Sequence, residues 1–189
     1  MRQLIVTEFL SLDGVMQAPG GEPGYAHSGW VGAYFSEELG TWKFQEQDAA
    51  EILLLGRITY DSFHGAWPER DGPMADKINT MTKYVASRTL TSSDWQGTTV
   101  VDGDLIAAVR ELKSGDGGPI LVAGSRSVAQ QLLAAGLVDQ LNLQVFPVVL
   151  GSGARLWPDS DAKLELELLS SEPMPNGVLA QRYRVGAAT

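Results

Sequence analysis

The run Pro119-Ile120-Leu121-Val122-Ala123, followed by Gly124 and an amphipathic stretch over 126–135 that stops at Gly136, is the feature that most narrows the fold. Consecutive apolar residues rich in β-branched side chains predict a strand buried on both faces, and such burial needs a helix above and a helix below. Gly124 frees the backbone to turn at the strand's end, and Gly136 ends the helix that follows. The unit recurs: Ile52-Leu53-Leu54-Leu55 runs into Gly56, and a helical turn or two begins over 57–62. Strand, glycine turn and helix in alternation build a largely parallel sheet.

The other elements fit around that frame. Residues 3–10 read as a strand entering the loop Ser11-Leu12-Asp13-Gly14, and 30–50 as a helix weakened at Gly40. Strands are expected at 81–87 and 98–101, and a helix at 102–114 with the stripe Leu105, Ile106, Val109 and Leu112. Residues 138–149 form a long strand whose far end is an edge or exit because of Pro147. Leu164, Leu166 and Leu168, then Leu179, Gln181, Tyr183 and Val185, alternate as a closing antiparallel pair on either side of 170–177. The expectation is an α/β chain with a mixed, mostly parallel sheet, one domain spanning 1–189.

Composition removes several function classes. Fourteen Lys and Arg against 23 Asp and Glu leave a net charge of −9, which disfavours a nucleic-acid surface. With no cysteine and two histidines, His27 and His64, thiolate chemistry and a histidine-rich metal centre are unavailable. No apolar segment reaches the length of a membrane span, so no membrane partner and a cytoplasmic location are expected. A single phosphorylated cofactor remains compatible with the acidic balance, since local donors decide a small site.

Three strand ends carry such donors. Gly124-Ser125-Arg126-Ser127-Val128 combines a glycine turn, a helix start with unpaired amides, two hydroxyls and a guanidinium; Ser125 or Ser127 reads equally well as a simple helix cap. Gly56, Arg57 and Thr59 repeat the idea after the second strand, and Ser87-Arg88-Thr89 after the third. Three such places in an acidic chain point to an extended, multiply phosphorylated ligand such as a dinucleotide, although each arginine alone reads equally as surface charge. Neither GxxxxGK[ST] nor GxGxxG occurs. Asp13, at the first strand's end, is a candidate to orient substrate or move a proton, with an Asx turn at Gly14 as the alternative. His64, Glu37, Glu38 and Asp48 are weaker acid–base candidates. The long loop over 17–29 is expected to cover or line something, and Trp30 and Trp67 are read either as a substrate wall or as core.

In order, Ser11-Leu12-Asp13-Gly14, Ile52-Leu53-Leu54-Leu55-Gly56-Arg57-Ile58-Thr59-Tyr60, Lys83-Tyr84-Val85-Ala86-Ser87-Arg88-Thr89, Ile120-Leu121-Val122-Ala123-Gly124-Ser125, Leu137-Val138-Asp139 and Pro147-Val148-Val149-Leu150-Gly151-Ser152-Gly153 cover most of the chain. Together they resemble the dihydrofolate reductase-like superfamily, nearest to the C-terminal reductase domain of the bifunctional riboflavin-biosynthesis deaminase-reductase. The resemblance implies a three-layer α/β/α fold that binds NADPH across its strand ends. Gly56, Arg57 and Thr59 would then meet the adenosine and pyrophosphate, Ser87 and Arg88 the ribose 2′-phosphate, and Gly124, Ser125, Arg126, Ser127 and Val128 the pyrophosphate. Ser11, Asp13, Gly14 and Val15 would border the nicotinamide and a small-molecule substrate. Ser125 stands where the family has the second glycine of a Gly-Gly turn, which bears on the phosphate geometry. None of Glu37, Glu38, Glu46 or Asp48 aligns with the substrate carboxylate of true dihydrofolate reductases, so dihydrofolate is not the expected substrate. The resemblance suggests instead a ribosylaminopyrimidine or another carbonyl or imine, reduced by a homodimeric enzyme in which Asp13 helps to organise proton delivery. The alternative is a non-catalytic nucleotide-binding or regulatory protein on the same scaffold.

Overall fold

The computed structural model describes residues 1–161 and 163–186. Thirteen helices and strands follow in the order β1 (Leu4–Ser11), α1 (Glu37–Ala49), β2 (Ile52–Gly56), α2 (Arg57–His64), α3 (Pro73–Thr80), β3 (Thr82–Ala86), β4 (Thr98–Val101), α4 (Leu105–Ser114), β5 (Ile120–Ala123), α5 (Arg126–Ala134), β6 (Gln140–Phe146), β7 (Leu166–Pro173) and β8 (Leu179–Val185). All eight strands join one sheet in the order β4-β3-β2-β5-β1-β6-β8-β7. The first six are parallel, and β8 and β7 add an antiparallel edge, so the expected mixed sheet and closing pair are both present.

Crossover handedness explains the layers. The path β1→β2→β3 moves towards one edge of the sheet and β4→β5→β6 moves back, so right-handed connections place the two sets of helices on opposite faces. On one face Tyr60 of α2 and Ile78 of α3 cover Leu53, Leu55, Val85 and Leu121. On the other, Val109 of α4 and Val128, Ala129 and Leu132 of α5 cover Leu4, Val6, Leu54 and Val122. A third cluster, Trp30, Val31, Leu39, Phe146 and Val178, closes the end of the sheet beside α1.

Several boundaries differ from the sequence expectation. The helix expected over 30–50 is a 3-10 turn, Gly32–Tyr34, then α1, because Ser36 takes an extended backbone and its Oγ accepts the Leu39 N–H at 3.2 Å as an N-cap. Trp30 and Tyr34 instead place their rings edge-on against Phe146. Helix α3, not expected from the sequence, starts with proline in its first turn and buries only Ala75 and Ile78. The helix expected over 102–114 begins at Leu105, where Asp104 caps α4 by accepting the Ala107 N–H. The long strand expected over 138–149 is β6, which stops just before Pro147, and β7 continues through Pro173 into what the sequence suggested was turn.

Candidate active site

Strand β5 lies between β1 and β2, and α5 leaves it towards the face opposite α1 and α2. The carboxyl end of β5 is therefore flanked by two topological switch points, the place where open α/β sheets hold ligands. The edge is stepped. Pairing of β1 with β5 ends at Thr7 opposite Ala123, while pairing with β6 continues to Ser11 opposite Phe146. Residues Glu8 to Ser11 thus overhang the end of β5 by roughly 13 Å at the ordinary strand rise.

Below that overhang the turns after β2 and β5 touch. Ser125 sits in the left-handed region at φ 64°, and its Oγ accepts the Gly56 N–H at 2.8 Å and donates to the Ala123 carbonyl at 3.1 Å. It neither caps α5 nor points outward; it locks the two turns together. A Cβ on Gly56 would stand 3.2 Å from Val128 Cγ2, and one on Gly124 would stand 3.1 Å from Thr59 Oγ1. Both glycines are thus explained by the close approach of the two turns. The serine in place of the second family glycine supplies the bond that holds them.

No side chain caps α2 or α5, whereas Ser36 caps α1 and Asp104 caps α4. The amides of Arg57 to Thr59 at the start of α2 and of Arg126 and Ser127 at the start of α5 meet no side-chain cap and stand side by side, with the positive ends of both helices at one place, while the Val128 N–H donates to the Ser125 carbonyl at 2.8 Å. Arg57 is already engaged: its Nε donates to both carboxylate oxygens of Asp61 at 2.8 Å and its Nη1 to Thr89 Oγ1 at 3.2 Å. It braces β2 against the turn after β3. Ser87 Oγ accepts the amides of Thr89 and Leu90, closing that turn, and Ser127 Oγ accepts from Gln131 Nε2 at 3.1 Å. Arg88 and Arg126 are exposed, and no side-chain hydrogen bond or ion pair among the described residues holds either guanidinium.

Asp13 is in a different situation. Its Oδ1 accepts from Ser11 Oγ at 2.7 Å and from the Leu150 amide at 3.1 Å, and its Oδ2 from the Gly151 amide at 2.9 Å and Arg155 Nη2 at 3.4 Å. The Ser11 hydroxyl is the largest cause holding its pKa down at about 2, partial burial opposes it, and the two loop amides add to the lowering. Such a carboxylate stays ionised at neutral pH and has no proton to give. The geometry makes it a positioning residue, pinning the 150–155 loop to the end of β1. Gly14, at φ 79°, makes the turn, and Val15 bridges to Arg155.

The loop over 17–29 runs along this edge. Gln17 Oε1 accepts the Ala154 amide, Tyr25 Oη donates to the Ser152 carbonyl at 2.6 Å, and Ser62 Oγ of α2 donates to Glu22 Oε1 at 3.2 Å. The loop links the Asp13 side to α2. Gly153 is more than a turn residue: at φ 119°, a Cβ there would lie 2.7 Å from Val15 Cγ1 and 2.9 Å from Tyr25 Oη. Trp30 is buried and its Nε1 donates to Gln17 O, so it is core. Trp67 packs with Phe63 and under Arg70, and His64 stacks on Tyr60 and pairs with Asp94. Of the weaker candidates, Glu37 and Glu38 occupy the first turn of α1, and Asp48 its last turn.

Sequence reasoning missed Arg155, the Leu150 and Gly151 amides and Glu8. Only Glu8 left a local signal, an acid on the same alternation as Leu4, Val6 and Leu10. Among the described residues no group of three or more acidic or histidine side chains could hold a metal ion, and no helix is long and apolar enough to cross a membrane.

Comparison with known proteins places this geometry. The chain is 27% identical over 187 residues to the uncharacterized protein YyaP of Bacillus subtilis, covering 96% of this chain and 94% of that one. Its fold matches a Thermotoga maritima diaminohydroxyphosphoribosylaminopyrimidine deaminase/5-amino-6-(5-phosphoribosylamino)uracil reductase with a TM-score of 0.67, at 13% identity, covering 98% of this chain and 57% of that one. It also matches Enterococcus faecalis dihydrofolate reductase, solved with NADP(H), with a TM-score of 0.62, at 16% identity over 98% and 97% of the two chains. The fold is thus dihydrofolate reductase-like. The model of the RibD C-terminal domain matches residues 2–180, and the chain belongs to that family.

Proposed function

We propose that this chain is an NADPH-dependent reductase that delivers a hydride to a small carbonyl or imine compound. Family membership and the reductase-like fold support a reductase. The observation that carries the cofactor is the pair of uncapped helix N-termini, α2 and α5, joined through Gly56 and Ser125 and flanked by free Arg88 and Arg126. Two adjacent sets of unpaired amides suit a pyrophosphate, and a guanidinium free of carboxylates suits a terminal phosphate.

The first-turn amides of α2 and α5, with Arg126, would hold the pyrophosphate. Arg88 would meet the ribose 2′-phosphate, and Arg57 supports that position from behind through Thr89 rather than touching the phosphate. Bound there, the cofactor supplies a hydride from its nicotinamide. Ser11, Asp13, Gly14 and Val15 form the rim against which nicotinamide and substrate would be aligned, and Asp13 keeps that rim rigid by holding the 150–155 loop. Alignment of donor and acceptor is the larger part of what a protein contributes to hydride transfer. The loop over 17–29 would exclude water from the aligned pair. For the acceptor, the name of the Thermotoga maritima match makes a ribosylaminopyrimidine the first compound to try.

Calorimetric titration tests the cofactor. Wild type is expected to bind NADPH at least tenfold more tightly than NADH, with the preference lost in Arg88→Ala and kept in Arg57→Lys. Equal affinities for both nucleotides in wild type would remove the 2′-phosphate assignment.

A further inference from the structure

Glu8 has no structural explanation in the fold around it. By the alternation of β1 it shares a face with Leu4, Val6 and Leu10, all members of the apolar cluster under α4 and α5. Its cross-strand neighbour on β6 is Leu143, from the same cluster. The residue is 3% exposed, and its Oε1 is buried with no hydrogen-bond partner. Buried polar oxygens are nearly always paired, so an orphan calls for a partner from outside the chain.

Its position says where that partner would come from. Pairing of β1 with β5 ends at Thr7, so Glu8 is the first residue of the overhang, level with the Gly124-Ser125 turn. Burial pushes the carboxyl well above its ordinary pKa, and Lys43 of α1 is the one charge that opposes the shift, being itself engaged with Thr7 and Glu46. From α5 the face presents Val128 and Ala129, and from β6 Leu143. Burial among apolar side chains favours the protonated form of Glu8, which has one O–H to donate and one carbonyl oxygen to accept. The complementary group is one that sets a carbonyl beside an N–H, as a primary carboxamide does.

We propose that Glu8 reads the carboxamide of a bound nicotinamide, its O–H donating to the amide oxygen and its other oxygen accepting from the amide nitrogen. This rests on the cofactor reading above. The paired contact fixes the rotation of the carboxamide, and with it the ring, against the overhang of β1; Glu8 is a binding residue that orients the ring and transfers no proton.

The test is equilibrium binding of two nucleotides, NADPH and its reduced 3-acetylpyridine analogue, which keeps the carbonyl and lacks the amide nitrogen. The proteins are wild type, Glu8→Gln and Glu8→Leu, with Glu8→Met replacing the leucine variant if that one does not fold. Wild type is expected to favour NADPH over the analogue about tenfold, the worth of one well-made hydrogen bond. Glu8→Gln, which keeps one donor and one acceptor, is expected to retain that preference. Glu8→Leu is expected to weaken NADPH binding by roughly 10- to 100-fold, from the loss of two such bonds, and to bind the two nucleotides equally. Its thermal midpoint without ligand should be no lower than that of wild type, because an unpaired buried polar atom has been removed. If Glu8→Leu loses the same factor for both nucleotides, or loses nothing, the assignment of Glu8 is overturned while the cofactor reading stands. If folded wild type binds neither nucleotide, the cofactor reading falls and the assignment falls with it.

Discussion

At the joint of β2 and β5, the first turns of α2 and α5 meet no side-chain cap, whereas at the end of β1 the amides of Leu150 and Gly151 both close on Asp13. The two places lie along one edge of one sheet, and each has a carboxylate or a hydroxyl within reach. In the first, the hydroxyl of Ser125 turns inward to the Gly56 amide and leaves the helix starts bare. In the second, the Ser11 hydroxyl, the Leu150 and Gly151 amides and Arg155 all close on Asp13. On the proposed reading, the bare donors at this joint receive a ligand's negative charge. Matched donors mark where a loop is to be held still.

The largest effect is expected from breaking the matched side. Asp13→Ala leaves two amides and a hydroxyl without an acceptor and Arg155 with main-chain carbonyls alone, and is expected to cost roughly 2–3 kcal/mol in urea unfolding, with faster hydrogen exchange at Leu150 and Gly151. The same bond set gives a pH signature. Asp13 is lowered to about 2 from 3.8, so its contribution is complete above the unfolded value and is lost as pH falls from about 4 towards 2; Asp13→Asn should flatten that acid limb. Next comes the bare side, where Arg88→Ala should weaken NADPH by about tenfold, near 1.4 kcal/mol, without changing NADH or the unfolding midpoint. The joint itself comes last. Ser125→Ala orphans the Gly56 amide and should cost about 1 kcal/mol, while Ser125→Gly loses the same bond but relieves a left-handed backbone worth about as much, leaving the thermal midpoint nearly unchanged.

What the sequence showed of this follows from how far apart the partners are. Buried parallel strands such as β2 and β5 are continuous apolar runs ended by glycine, and both were legible with the turns behind them. Helix α3 was not, because two buried residues make no stripe. The break before α1 was hidden because Trp30 and Tyr34 fall at helical spacing while packing on Phe146, more than a hundred residues away. Arg57 reads as a phosphate ligand from its place after a strand at a helix start, while in the fold its i,i+4 partner Asp61 holds the guanidinium. Asp13 offered an Asx turn or a proton, and its actual partners lie 137 and 138 residues on, where only the fold could bring them. Glu8 is an acid within an apolar strand, and its orphaned oxygen is visible only once the neighbours are placed.

The difference between capped and bare helices can be read directly by amide hydrogen exchange with and without NADPH. The account predicts that NADPH protects the bare first-turn amides of α2 and α5, Arg57 to Thr59 and Arg126 and Ser127, and leaves those of the capped helices α1 and α4 unchanged. Saturating NADPH that protects none of these amides, or protects the starts of α1 and α4 to the same extent, would contradict it.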